Sequence, residues 1–415
     1  MSKRFQRAQV GSGALRALID ALAEELGRSV VLDDPLVRLI CSSRHFGDED
    51  PVRVRSLLQG LADDEVIRYV LGQGVAQWAG PGFIEGRDDL GLLPRYCVPL
   101  RERGRLLGLL MVVAADKTLS AEETDAIGRA ARAVAAQMYA EYVATEAEES
   151  GTHELLRGLL GTDPVGRAVA LEQGIDRGLW VDAAHSVVTV VRVSRPHGSP
   201  AEVETALRAA VEGYRSTRWA AGAISVDRDR AVLLQLCDRL PASGEITAQS
   251  RRVVESLGTF LDAAAVPTVG VGGRQEGLVG AWSSYEQALV AMRAARRLPN
   301  LRGVGDWDEL GEYAVLLQLP DQALNASLVP KPLRVLTENN GTARLEETLR
   351  CFLENAGSVP RTAEALHVHR TSLYYRLRQI QEITGLDLDN GADRLVLHMG
   401  LRIRELLTAG APAAD

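Results

Sequence analysis

The sequence predicts a multidomain α+β chain closing in an all-α helix-turn-helix domain, and three observations carry that prediction. The 415 residues are enough for about two to four domains with cores of their own. Between 186 and 271 the apolar pattern alternates between strand and helix periods in the order βαββαβ, that of a ferredoxin-like palm. Residues 358–385, SVPRTAEALHVHRTSLYYRLRQIQEITG, read as two helices with a tight corner between them.

Composition sets outer bounds. Hydrophobic residues make up 46% and charged residues 25%, ordinary for globular protein. No apolar run approaches the ~18 residues a bilayer span needs; the longest, 106–115, is interrupted by Gly108 and reads as a strand. The basic start MSKRFQRAQVGSG lacks the apolar stretch of a signal peptide, so a cytoplasmic protein with no membrane partner is expected. Cys41, Cys97, Cys237 and Cys351 are widely spaced, which suits neither a disulfide framework nor a zinc site; buried, reduced thiols are expected.

In chain order, 13–26 is an amphipathic helix with Leu15, Leu18, Ile19, Leu22 and Leu26 on one side. Strands at 29–32 and 37–42 flank the turn Asp33-Asp34-Pro35, polar helical sequence fills 50–71, and a short strand passes through Trp78. Two β-runs, 96–100 and 106–114, flank a turn at Glu102-Arg103-Gly104, and Ser120 with Glu123 supplies a capping box. This order resembles a GAF sensory domain, whose strand pair commonly reads "vPl…g…lG.l". Near the ligand face of such a sheet would lie Ser42, His45, Trp78, Arg95 and Cys97; an arginine beside a small cavity suits a carboxylate or an electron-rich ring. The same five also read as scattered surface and core residues.

From 120 the helical pattern runs to about 148 with Ile127, Ala131, Val134, Met138 and Tyr142 in one stripe. Two readings stand, and both can hold along different turns: the stripe packs on its own sheet, or its C-terminal half is a dimer seam against a second subunit. The tract TEAEESG, 145–151, reads as a linker.

The palm follows, with strand 186–193, helix 201–219, hairpin 223–226 to 231–236, helix 248–264 and strand 268–271. With the phrase VGVGGRQEGLVGAWSSYEQALVAM it resembles a degenerate diguanylate-cyclase-like, or GGDEF-like, domain. Active cyclases of that fold need paired glycines and carboxylates at the hairpin tip. Here the tip is Val226-Asp227-Arg228-Asp229-Arg230, with no Gly-Gly, and reads as a solvated turn rather than a metal-binding acid pair. Gly270-Val-Gly272-Gly273 lacks the third glycine of a dinucleotide loop, since Gln275 stands there, and reads as a sharp strand exit. No catalytic residue, metal ligand or cofactor is expected.

In the C-terminal segment Ser358 is placed as N-cap, Pro360 falls in the first turn, and 367–369 forms the corner. The second helix buries Leu373, Leu377, Ile380 and Thr384 and turns Thr371, Tyr375 and Arg378 outward. Hydroxyls at a helix start, followed by arginines and aromatics with no acid from 370 to 381, suit a DNA major groove. The DNA-contacting set is His369, Arg370, Thr371, Ser372, Tyr374, Tyr375, Arg376, Arg378 and Gln379. The competing reading is an ordinary helical corner with a solvated basic face.

The wider segment resembles the C-terminal DNA-binding domain of the purine-catabolism (PucR-like) and sugar-diacid (CdaR-like) regulator family. Thr348-Leu349, Phe352-Leu353, Thr362-Ala363, Val368-His369-Arg370, Tyr375-Arg376-Leu377 and Thr384-Gly385 carry the match. Where the family usually has Asn-Thr after His-Arg this chain has Thr371-Ser372, and threonine lacks asparagine's bidentate grip on adenine.

The domains expected are therefore a GAF-like sensor at 1–119, a connecting helix and linker at 120–150, a degenerate GGDEF-like palm at 151–320, a linker at 321–332 and the helix-turn-helix domain at 333–415. The resemblance implies a regulator of a catabolic or transport operon that answers a small-molecule effector and, if an activator, contacts RNA polymerase. Net charge is −8, and in 341–407 nine arginines meet nine acids, so contact with double-stranded DNA must rest on local placement of charge and on two readers in a homodimer or higher oligomer. The alternatives are a cyclic-dinucleotide enzyme and a small-molecule or redox sensor acting through protein contacts.

Overall fold

A computed structural model describes residues 3–44, 46–47, 51–52, 63–181, 183–195, 200–215, 222–239, 244–338 and 343–409. The chain forms two compact units, one of residues 1–267 with 274–283 and one of 268–273 with 284–415. Among the described residues no helix is long and apolar enough to cross a membrane.

The first unit opens with α1 (Lys3–Leu26), which buries Leu15, Ile19 and Leu22. A five-stranded sheet follows in the order β2-β1-β5-β4-β3, built from β1 (Val30–Asp33), β2 (Leu39–Ser42), β3 (Gly82–Ile84), β4 (Arg95–Glu102) and β5 (Arg105–Val113). The β4–β5 hairpin closes on Arg103 and Gly104 at φ 50° and 79°, the left-handed pair that matches the twist of the flanking strands. One face of the sheet, with Val30, Leu32, Leu110 and Val112, packs under α1 and the next long helix. The other, with Val31, Leu109, Met111 and Cys97, packs under α2 (Asp64–Gly72). Trp78 is not in a strand. It follows a 3-10 turn at Val75–Gln77 and its indole Nε1 donates to the Gln73 carbonyl at 3.1 Å; the strand begins at Gly82.

The capping box forms, with Ser120 Oγ accepting from Glu123 N at 3.1 Å and Glu123 Oε2 accepting from Ser120 N at 2.7 Å. The helix it starts, α3 (Ala121–Leu159), runs 39 residues without a break. The tract 145–151 is thus no linker. Its glutamates and alanine are good helix formers, one glycine costs about 1 kcal/mol, and Leu155, Leu156 and Leu159 beyond it are buried and hold the helix on.

Then come α4 (Pro164–Asp176), β6 (His185–Ser194), α5 (Pro200–Arg215), β7 (Ile224–Asp227), β8 (Arg230–Cys237), α6 (Glu245–Phe260) and β9 (Val266–Val271). The chain order from β6 is βαββαβ. β8 lies between β6 and β7, antiparallel to both, as a ferredoxin-like palm requires of its third strand. A two-residue strand, β10 (Gln275–Glu276), also pairs with β6.

In the second unit β9 runs parallel to β11 (Val304–Asp306), and α7 (Ala281–Arg297) lies against them at backbone contact. A Cβ on Gly270 would meet the Ala288 carbonyl oxygen at 1.9 Å, and one on Gly272 the Ser284 carbonyl oxygen at 1.9 Å. Close helix–strand packing, rather than phosphate binding, accounts for the glycine run. After a one-turn helix, α8 (Tyr313–Leu316), the remainder is α9 (Lys331–Glu338), α10 (Ala343–Glu354), α11 (Val359–Ala365), α12 (Arg370–Thr384) and α13 (Gly391–Ala409). Their core joins Leu333, Leu349, Phe352, Leu377 and Leu401 to Ala291 of α7 and to Leu298 just after it. The tract 321–332 is not a free linker either: Leu324 and Val329 are buried in that core, and Asp321 takes Arg293 and Arg297 of α7 at 2.7 Å each.

Candidate nucleic-acid interface

The corner is built by local bonds. Ser358 sits at the N-cap position of α11 with its backbone, its carbonyl accepting from Thr362 N at 2.9 Å and Thr362 Oγ1 at 2.8 Å; its side chain makes no capping bond. His367 takes φ 51° to turn the chain, and Val368 N returns to the Ala363 carbonyl at 3.0 Å. His369 then caps α12, its Nδ1 accepting from Thr371 N at 3.3 Å. An imidazole acceptor in that position leaves the hydroxyls of Thr371 and Ser372 exposed at the helix start, beside the free backbone N–H groups.

α12 buries Leu373, Leu377, Ile380 and Thr384, the expected face, and closes on Gly385 in the left-handed region. Outward stand Arg370, Thr371, Ser372, Tyr374, Tyr375 and Arg378, with Gln379 half-buried and its Nε2 donating to Tyr375 Oη at 3.4 Å. The tyrosines are 59% and 65% exposed, unusual for large rings. Arg378 faces Glu382 at 3.7 Å, both exposed, a pair weak enough to yield to a phosphate or a base.

Arg376 is the correction. It is only 8% exposed, and its Nη1 donates to Thr348 Oγ1 of α10 at 3.2 Å. Its position, three after Leu373 and four before Ile380, lies in the buried stripe, which its charge disguised.

The charge balance of this segment also becomes spatial. Arg350 and Arg404 both bind Glu346, at 3.1 and 3.3 Å, and Arg402 binds Glu312 at 2.6 Å. Those acids are taken up by arginines of α10 and α13. Among the described residues Arg370 has no ion-pair partner, so the opening turn of α12 keeps a net positive charge.

In the first unit, Cys97 lies in the core under α2 with Trp78 packed against it. Arg95, two residues before Cys97 on β4, shares its face, as does Ser42, paired opposite Val31 on β2. Ser42, Arg95 and Cys97 are all buried. The structure thus brings four of the five expected residues to one face; His45 lies outside the described residues. Sequence reasoning missed a fifth polar group there, Asp33, taken for a turn residue. It ends β1 on that face, is 6% exposed, and burial pushes its carboxyl up to about 7 against the opposing pull of Arg95. Burial also pushes the Cys97 thiol up to about 12 and that of Cys41 up to about 11, the inert end of cysteine reactivity.

The stripe on α3 packs on the chain's own sheet over its first turns and is half-buried at Met138 and Tyr142. Ile127, Ala131 and Val134 are buried beneath it, Met138 sits over Gly108, and Tyr142 is covered by the Arg105 guanidinium at 4.1 Å. At the palm tip Asp229 is engaged by Arg192 at 2.9 Å, and Asp227 pairs across the hairpin with Arg230. Among the described residues no cluster of three metal-ligating side chains occurs.

Comparison with known proteins meets these features directly. Residues 345–403 match the PucR C-terminal helix-turn-helix domain, and residues 171–294 the GGDEF-like domain. The proline-responsive transcriptional activator PutR of Bacillus subtilis is 21% identical over 403 residues, which cover 93% of this chain and 95% of that protein. The DNA-binding transcriptional activator AdeR of the same organism is 20% identical over 98% of this chain and 100% of its own length. The carbohydrate diacid regulator of Escherichia coli is 38% identical over 123 residues, 29% of this chain and 31% of that protein.

Proposed function

We propose that this chain, a member of the PucR-like and carbohydrate-diacid-regulator-like family of DNA-binding transcription regulators, is a cytoplasmic, effector-responsive regulator of a catabolic or transport operon that binds DNA as a dimer. The carrying observation is the acid-free outer face of α12 between Arg370 and Gln381, with its exposed tyrosines and its unpaired Arg370. On this reading Thr371, Ser372, Tyr375 and Arg378 meet base edges, and Arg370 with the opening N–H groups meets phosphate. A dimer follows from charge: one helix with two exposed arginines on a chain of net charge −8 holds a site poorly, and two readers double the phosphate contacts.

The N-terminal sheet is read as a GAF-like effector domain, with Ser42, Trp78, Arg95, Cys97 and Asp33 on its ligand face. The palm is read as non-catalytic, since Asp229 of its tip is tied to an arginine. Because PutR and AdeR are activators, an activating role that contacts RNA polymerase is the form this reading takes. The test is a gel shift of the full chain on the DNA upstream of its own coding sequence. A shift competed by specific but not by shuffled duplex is expected; no preference over shuffled duplex would defeat the reading.

A further inference from the structure

We propose that the groove between β4 and α3 binds a small organic monocarboxylate with an apolar body. It lies on the sheet face opposite the effector face described above, so it is a second site. It deepens the reading of the N-terminal domain as a sensor, but binding to it is measurable without DNA.

The groove has a volume of about 330 Å³, within the range of small-molecule sites. Val98, Leu100 and Ile127 give it apolar walls, and no acid lines it. Its polar side chains are Tyr96, Arg101, Thr124 and Arg132; the Thr124 hydroxyl already donates to the Ser120 carbonyl at 2.9 Å, and the other three are donors. That set selects an anion. The apolar walls favour a single charged end on a hydrophobic body over phosphate.

Two of these donors are free. Among the described residues neither Tyr96 Oη nor the Arg132 guanidinium has a hydrogen-bond or ion-pair partner, whereas Arg129, one turn earlier on α3, binds Glu25 at 2.9 Å. Burial alone pushes the Tyr96 hydroxyl up, with no bonded group sharing in the shift. Arg101 is held in place by donation from Nη2 to the Ala76 carbonyl. A carboxylate in the groove would give these donors the acceptor they lack.

Gly128 gives the helix side of the groove its room. A glycine inside a helix is about 1 kcal/mol worse than alanine, and packing does not require this one. A Cβ at that position would meet only Arg132 Nη1, at 3.8 Å, which is ordinary contact. The missing side chain keeps the groove open.

The experiment uses the full chain, with thermal melting and titration calorimetry against benzoate, phenylacetate and hexanoate, each beside its primary amide. At least one acid is expected to raise the melting temperature and its amide is not. Arg132→Gln, an exposed change, should weaken that acid by about tenfold or more, as loss of a charge-assisted bond implies. Gly128→Leu should abolish binding by filling the groove. The proposal is overturned if none of the three acids binds, if acid and amide bind alike, or if binding survives both variants. It is equally overturned if Arg95→Gln removes binding and Arg132→Gln does not, which would place the ligand on the other face. Should Gly128→Leu not fold, Arg132→Gln and Tyr96→Phe decide the matter in the same way. Loss of DNA binding with carboxylate binding intact would count against the regulator reading and leave the groove standing.

Discussion

Arg376 of the second helix of the corner donates to Thr348 of α10 at 3.2 Å, and Thr348 Oγ1 in turn donates to the Arg344 carbonyl at 2.7 Å. The buried arginine ties α12 to the helix before the corner and fixes how the outer face is presented. Arg376→Ala should therefore destabilise the second unit by roughly 1–3 kcal/mol, the cost of breaking a buried charged hydrogen bond. Thermal melting checks this. A variant that melts like wild type but loses affinity for every duplex would restore Arg376 to the phosphate contacts.

Arg378→Ala and Tyr375→Ala should leave melting unchanged, because both side chains are exposed, and cost roughly 1–3 kcal/mol on the cognate duplex. Arg370→Ala should weaken specific and shuffled duplex alike and lower the salt slope by about one. Fluorescence anisotropy across a salt series separates the two behaviours. Equal losses on both duplexes for all three variants would remove the assignment of base readers.

Asp33 makes stability depend on pH. Its folded carboxyl titrates near 7 against an ordinary value of 3.8, so the folded state holds that proton more tightly than the unfolded one. The stabilisation is complete below about 4 and is lost as pH rises through about 7, with an upper bound of about 4 kcal/mol. Asp33→Asn should flatten the dependence, with its largest gain over wild type near pH 8. Chemical denaturation at pH 5 and pH 8 reads this directly; parallel curves for the two proteins would show that Asp33 is not the titrating group.

Ala147→Pro tests the continuity of α3. A flexible linker would accept proline at this exposed position, whereas a helix interior loses about 3 kcal/mol or more. Circular dichroism melting should show the loss. An unchanged melt would mean that the helix ends before this point.

Where order is local, the sequence was legible. Leu373, Leu377, Ile380 and Thr384 repeat at helical spacing, and Ser120 with Glu123 announces a helix start from four residues. The palm could be read because its central strands, β6 and β8, are short apolar runs buried at most positions and set between helical stretches. Other features were hidden for physical reasons. A tract of Glu, Ser and Ala has the same composition in a solvated linker and on an exposed helix, so 145–151 misled. Arg376 and Asp33 are charges at positions whose periodicity is buried, and there the spacing was the better guide than the residue type. Groove and sheet faces are tertiary, and only the strand registers show that Ser42, Arg95 and Asp33 share a side.

The unbroken α3 has a mechanical meaning. At about 1.5 Å per residue its 39 residues make a rod about 58 Å long, with one end beneath the five-stranded sheet and the other joined to the palm. A rod has no joint at which motion can be absorbed. A tilt of about 5° at one end carries the far end about 5 Å, more than most side-chain contacts survive. Small displacements at the sheet are therefore either resisted entirely or delivered enlarged to the palm; helical stiffness leaves no gentle middle course.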